Sequence, residues 1–411
     1  MKLLYFVIQM DQLGGVARIV TDKVNWLVQH GYEVTICDIE NWEVKPYYEL
    51  DPRVKFRIGY MQTTPGGIFR RLQGVWRAIG KVRQVIKEEQ PDVIVNAHCP
   101  LVTWVLPWCR GFGRLRGFGR LGKLGRLGKF GGVGVSPSTC TGGKASKSFR
   151  PLLITEMHQS RQGLDVFNRK FMSPFGRWLH RWSIRWIYGR YDKFVVLTNG
   201  DREQWRLKNC VVIPNFVERL NLTTESTEKE NRQIIMLARL MPQKRIDLMI
   251  EVWANLAKDF PDWQVKVLGE GMLREELELK VDSLGLRDSF LMPGGVKDVM
   301  PELTSSDILC LTSEYEGFGI VLIEAMQHGV PVMAMEYVGV HDIIRNGVDG
   351  IIVPFGDVDA YAEKLLHLML SQDERSRLAA NALNSVKKFE KEAVMQKWVE
   401  LFETGLNVNA H

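Results

Sequence analysis

The chain has 411 residues, 45% of them apolar and 25% charged, and a net charge of +6. That length exceeds one ordinary core and that composition excludes a disordered chain, so two globular domains are expected. The modest basic excess suits an anionic partner without choosing among nucleotide, membrane and nucleic acid.

In chain order, "KLLYFVIQ" predicts a strand. A strand entering a glycine turn fits better than a signal peptide, because the short apolar run meets Asp11 and a glycine pair instead of a small-residue cleavage site. "ARIVTDKVNWLVQHG" predicts a helix closed by Gly31, "EVTICDI" a second strand, "GGIFRRLQGVWRAIGKVRQVIKEEQ" a long basic helix, and "PDVIVNA" a third strand. Such alternation predicts a parallel sheet covered on both faces. The pattern resumes at "PLLITEMH", "YDKFVVLT" and "CVVIPNF", and the polar "ERLNLTTESTEKENRQ" reads as a linker. Beyond it "IIMLARL", "WQVKVLGEG", "SFLMPGGV", "DILCLTS", "VPVMAME" and "GIIVPF" are strands between amphipathic helices. The expected organisation is one α/β domain over residues 1–220, a second over 232–385, and a last helix within 386–411 that packs back on the first.

The six cysteines are scattered, with no C-x-x-C and no metal-ligand spacing, which fits free thiols in a reducing compartment. No apolar run approaches the ~20 residues of a transmembrane helix. A cytoplasmic protein is expected, with membrane contact at most peripheral. Residues 110–148 interrupt the pattern as a basic, low-complexity insertion, and 110–133 within it is a six-residue Gly/Arg repeat. Gly117, Gly119 and Gly122 satisfy G-x-G-x-x-G there, but the match lies in a repeat rather than on a strand-to-helix turn, so it is rejected. "TGGKAS" lacks the Ser or Thr that should follow a Walker A lysine, and the NTPase reading fails with it.

The chemistry gathers in "SEYEGFGIVLIEAMQHGVPV", where Glu316 and Glu324 flank a Gly-Phe-Gly turn at the head of an apolar helix. The preceding strand "DILCLTS" places that turn at a carboxyl end of the sheet, where open α/β sheets bind ligands. Helix N-terminal amides favour an anion by about 0.3–1 kcal/mol. Upstream, Arg239 follows a strand and Lys244 opens the next helix. Two cations at about 1.5–3 kcal/mol each, with a helix end, would hold a diphosphate without metal. Asp357 and Asp359 form the one D-x-D and read as an N-cap pair.

"EGFGIVLIEAM", "ARLMPQKRIDLMI", "VLGEGMLREEL", "VIPNFVE" and "GVHDIIRNGVDGIIVP" together resemble the retaining glycosyltransferases of family 4. The resemblance is strong over residues 232–370 and looser in the first half, where "QLGGVARIV" matches the family's first glycine loop. It implies the GT-B fold, an α/β architecture of two Rossmann-like doubly wound domains facing a central cleft. It implies a nucleotide-sugar co-substrate, with a UDP-sugar expected, and no cofactor or metal. A glycan or lipid-linked acceptor of cell-surface polysaccharide or lipopolysaccharide synthesis follows, and no nucleic acid. By position, Arg239 and Lys244 would bind the diphosphate, and Glu324 the ribose. Glu316 with Gly317, Phe318, Gly319, Ile320 and Val321 would contact sugar and phosphate. Val296 would line the donor site, Gly14 and Gly15 would form the loop over the phosphates, and His158 would lie near the transferred sugar. The insertion before His158 departs from the family pattern.

A second feature is "GRWLHRWSIRWIYGR". On a helix, Trp178, Trp182 and Trp186 form one column beside Arg177, Arg181 and Arg185. The preferred reading packs the tryptophans into the first domain with the arginines in water. The other sets both columns on an anionic membrane, with the basic helix carrying Arg70, Arg71, Arg77, Lys81, Arg83 and Lys87 extending that face. Rival functions are a two-carboxylate glycoside hydrolase, which needs no phosphate clamp, a nucleotide-sugar epimerase of the same fold, and a nucleic-acid binder acting through the Gly/Arg repeat.

Overall fold

The structure, a computed structural model, describes residues 1–11, 14–39, 45–58, 68–97, 99–109, 150–218, 231–296 and 298–409. The Gly/Arg repeat, most of the linker and the side chains of Arg70 and Arg71 lie outside the described residues.

Two parallel sheets carry the fold. The first joins β1 (Lys2–Val7), β2 (Glu33–Asp38), β3 (Lys55–Ile58), β4 (Val93–Ala97), β5 (Leu152–Glu156), β6 (Lys193–Val196) and β7 (Cys210–Val212), in the order 3-2-1-4-5-6-7. β1 pairs in parallel with β2 and β4, and its Leu3–Val7 run is buried throughout, as a strand covered on both faces requires. Its helices are α1 (Gly15–Gln29), α2 (Ile68–Glu89), α3 (Pro100–Cys109), α4 (Arg161–Phe171), α5 (Pro174–Tyr188) and α6 (Asn199–Trp205). The second sheet joins β8 (Gln233–Leu237), β9 (Gln264–Leu268), β10 (Phe290–Gly294), β11 (Ile308–Leu311), β12 (Val332–Met335) and β13 (Ile351–Val353), in the order 10-9-8-11-12-13. All its pairings are parallel. With it run α7 (Ile246–Ala254), α8 (Arg274–Ser283), α9 (Met300–Thr304), α10 (Ile320–Gln327), α11 (Val340–Ile343), α12 (Val358–Leu370), α13 (Gln372–Ser385) and α14 (Lys391–Asn409).

By packing, Met1–Glu156, Trp186–Phe194 and Phe402–His411 form one compact unit, and Met157–Arg185 with Val195–Leu401 form another. In the first unit, Leu4, Phe6, Ile94, Val102 and Leu153 make the core. The end of α14 reaches it, where Gly405 lies against the Leu152 side chain. Lys23 of α1 donates to Glu156 of β5 at 2.6 Å, with both side chains only 2% exposed. Removing one partner of such a pair strands a buried charge, at a cost of about 3–5 kcal/mol.

In the second unit, both faces of the sheet are apolar: Ile234, Met236, Val265 and Cys310 meet α7 and α12, while Ile235, Leu309 and Val332 meet α10. Asp357 caps α12 by accepting from Ala360 N, as its D-x-D reading expected. The sheet order reverses between β8 and β11, so the loops leaving those two strands bound a crevice of the kind in which open α/β sheets bind ligands.

The structure corrects the preferred reading of the tryptophan helix. Trp178 is 61% and Trp182 is 56% exposed. The inner stripe of α5 is supplied instead by His180 and Ile184, which face Arg161 and Leu164 of α4 and Trp205 of α6. Only Trp186 is partly packed, with the Arg190 guanidinium 3.7 Å over its ring and Trp108 beside it.

Asp201 fixes the approach to α4 from α6. The Thr198 hydroxyl accepts from Asp201 N and donates to Asp201 Oδ2, while Asp201 Oδ1 accepts from Arg161 N at 3.0 Å. Burial pushes this carboxyl up to about 6. A folded value above the ordinary ~3.9 means the native state holds the extra proton. Its contribution to stability is therefore full below pH ~4 and is lost as the pH rises through about 6. We predict that Asp201→Asn removes a fall of about 2–3 kcal/mol in stability across that window. Chemical denaturation at a series of pH values measures it; parallel wild-type and variant profiles would refute it.

Candidate functional site

The crevice loops are sewn together by hydrogen bonds. After β8 the chain passes Arg239, makes a 3-10 turn over Pro242–Lys244, and enters α7 through Arg245. After β11 come Thr312, Ser313 and the glycine turn, then α10. The Thr312 hydroxyl donates to the carbonyls of Lys244 and Arg245, each at 3.0 Å, and Glu314 N donates to Gln243 O at 2.9 Å. Each loop holds the other in place.

On that frame Lys244 Nζ lies 2.6 Å from Glu316 Oε1, and the Ser313 hydroxyl donates to the same oxygen at 2.7 Å. The two charged side chains are 15% and 13% exposed. Partial burial strengthens their attraction over that of a surface pair. Because both donors converge on Oε1, Oε2 has no hydrogen-bond partner among the described residues. The sequence placed Lys244 on phosphate and Glu316 on sugar; the structure shows them bound to each other.

The glycine turn is pinned at three points. A Cβ on residue 317 would collide with the carbonyl oxygen of His158, so only glycine fits against that strand end. Gly319 has φ +87°, and a Cβ there would also strike the Tyr337 hydroxyl. That hydroxyl donates to Phe318 O at 3.0 Å, and its burial and the nearby Glu316 keep it protonated. The Phe318 ring is buried edge-on to Phe389. Both glycines are thus demanded by the chain's own packing.

Gly319 is also the N-cap of α10, which no side chain caps, so the helix offers backbone N–H groups at its head. Ile320 and Val321 open that helix half-buried, and Glu324 is buried in its second turn. Arg239 is exposed at the exit of β8 and has no ion-pair partner among the described residues. Val296, just after β10, is half-buried against the core. His158 is itself buried and meets the site through its backbone. In the first unit, Gly14 and Gly15 stand at the head of α1, and a Cβ on either would meet no described atom within 4 Å. Among the described residues of that unit, nothing in the packing requires glycine there.

Sequence reasoning missed Ser313, Thr312, Tyr337 and Gln162. Gln162 Nε2 donates to Glu314 O at 3.1 Å, and Gly163 of α4 packs on the Tyr315 ring. The Thr312-Ser313 pair between β11 and Glu316 was the one available signal. Cys310, just upstream on β11, is pushed up to about 12 by burial and is no nucleophile. Among the described residues no three His, Cys, Asp or Glu side chains come together as metal ligands.

Comparison with known proteins decides the family. The model described as glycosyl transferases group 1 matches residues 221–385, and the model for glycosyltransferase family 4 matches residues 13–117. The chain is 31% identical, over 61% of its length and 67% of the relative's, to an α-1,4-N-acetylgalactosaminyltransferase of Campylobacter jejuni named for an undecaprenol-diphosphate-linked glycan. The chain belongs to the group 1 glycosyltransferases of family 4. It is also similar to the amylovoran biosynthesis glycosyltransferase AmsD of Erwinia amylovora, 22% identical over 97% of this chain and 99% of that one. Among solved structures, HepE of Anabaena, in complex with UDP and glucose, superposes with a TM-score of 0.70 at 16% identity, over 98% and 100% of the two chains. The two parallel sheets are those of the GT-B fold.

The packing at Gly317 yields a direct expectation. Gly317→Ala should force the turn off the His158 carbonyl, costing about 1–3 kcal/mol of stability and most of the glycosyl transfer. Thermal unfolding with a turnover assay measures both; unchanged stability and rate would show that the turn has slack.

Proposed function

We propose that this glycosyltransferase moves a hexose from a UDP-sugar, with retention and without a metal ion, to a glycan or lipid-linked acceptor. The product would belong to a cell-surface polysaccharide or lipopolysaccharide, made at the cytoplasmic face of a membrane. The observation that carries this reading is the Lys244–Glu316 pair, set on a rigid glycine turn at the uncapped head of α10.

A diphosphate arriving there meets Lys244, the α10 amides and the exposed Arg239. Lys244 exchanges Glu316 for a phosphate oxygen, and the released carboxylate accepts hydrogen bonds from hydroxyls of the donor sugar. Positive charge then stands where the departing nucleotide accumulates negative charge, the electrostatic task of such a transfer. Glu324 takes the ribose hydroxyls, and Val296 and the Gly317–Val321 backbone line the donor. Gly14 and Gly15 present backbone without a Cβ to the phosphates. His158 stands on the sugar side through its contact with Gly317. UDP is favoured because HepE was solved with it, and a lipid-linked glycan because the Campylobacter relative is named for one.

Unfolding temperature with UDP, GDP or ADP tests the donor base, since a ligand that binds only the folded state raises it. UDP should give the largest rise. Arg239→Ala should weaken nucleotide affinity roughly 10- to 100-fold, the equivalent of one charge-assisted hydrogen bond. Near wild-type affinity would remove Arg239 from the diphosphate site.

A further inference from the structure

We infer that the exposed face of α5 is a docking surface for an anionic lipid bilayer. This rests on the proposed lipid-linked acceptor for its purpose, though not for its geometry. Phe175, Trp178, Leu179 and Trp182 are 71%, 61%, 47% and 56% exposed. Their spacing of i, i+3, i+4 and i+7 sets them in one stripe on the helix. The Phe175 and Trp178 rings stack at 5.9 Å, so the stripe is continuous at its start. Large contiguous apolar patches on soluble proteins mark interaction sites.

Charge identifies the partner. From Arg161 to Arg185 the sequence holds six cationic residues and one acidic residue, Asp165. That carboxylate is already taken by Arg181 at 3.1 Å. Arg177 and Arg185 bond to backbone carbonyls, of Met172 and Arg206, which leaves their charges uncompensated. A stripe of tryptophan, phenylalanine and leucine flanked by arginine is the pattern of a helix lying in a bilayer interface, with guanidinium groups at the phosphates and rings among the upper acyl chains. Stacking with nucleic acid bases would use the aromatic faces but leave Leu179 without a role.

Position agrees with the purpose. α4 starts directly after the His158 segment, with Gln162 bonded to Glu314 and Gly163 packed on Tyr315. Its 11 residues advance roughly 16 Å at 1.5 Å per residue before α5 begins. The docking stripe is thus joined to the glycine turn by one short helix.

The test uses the full chain in flotation with vesicles of phosphatidylcholine alone, or of phosphatidylcholine mixed with phosphatidylglycerol. The protein should float with the anionic vesicles at low salt, be released as salt rises, and stay behind with the neutral ones. Trp178→Ser with Trp182→Ser should lower vesicle partitioning about tenfold or more. Both residues are exposed, so the variant should keep the wild-type rise in unfolding temperature with UDP. Absence of flotation at low salt, or unchanged partitioning of the double variant, overturns the docking surface. So does displacement of the protein from vesicles by a single-stranded oligonucleotide that no longer competes once the tryptophans are gone. A UDP-induced rise without flotation removes the docking surface and leaves the transferase reading intact; flotation without any nucleotide-induced rise does the reverse.

Discussion

The contact between Lys244 and Glu316 organises the second unit's crevice. It joins the loop leaving β8 to the loop leaving β11, across the point where the strand order reverses. A lysine and a glutamate in that position would ordinarily be two mobile surface charges. Here Ser313 fixes the carboxylate, Thr312 fixes the lysine's backbone, and both side chains are mostly covered. Each charge therefore has a defined place before any ligand arrives. An enzyme that stabilises a departing nucleotide by electrostatics needs that preorganisation, because charges that must first be gathered contribute less at the transition state.

The rest of the site can be derived from keeping that pair in position. Gly317 lets the turn lie on the His158 carbonyl, and Tyr337 ties down Phe318 O. Asp201 and Thr198 hold the amide of Arg161, so the segment from His158 into α4 is fixed from a second direction. None of these groups has to touch a substrate to matter. They convert two flexible loops and a strand end into a surface with one shape.

Much of this was legible in the sequence, and the parts that were not share a cause. Most strands of both sheets follow from apolar period and glycine punctuation, and the Asp357 cap from its place before a helix, whereas β3, α3 and α4 were not read from the sequence. The Lys244–Glu316 pair joins residues 72 apart, and the buried Lys23–Glu156 pair joins residues 133 apart. No local pattern records such a meeting. Lys23 in "TDKVNW" looks like a solvent-facing helix charge, and only the fold turns it inward. Period showed that Trp178 and Trp182 share a face of α5, but period cannot say which face the core will cover. His180 and Ile184, a weaker apolar stripe, took that side. Gly317 and Gly319 are demanded by the His158 carbonyl and the Tyr337 hydroxyl, partners far away in sequence that the glycine turn itself does not announce.

A structure of the protein with a bound nucleoside diphosphate tests the central claim most directly. The account predicts phosphate density at the head of α10, with Lys244 Nζ turned from Glu316 to a phosphate oxygen and Arg239 drawn in beside it. A diphosphate found away from that helix end, or one bound there while Lys244 and Glu316 keep their 2.6 Å contact, would contradict it.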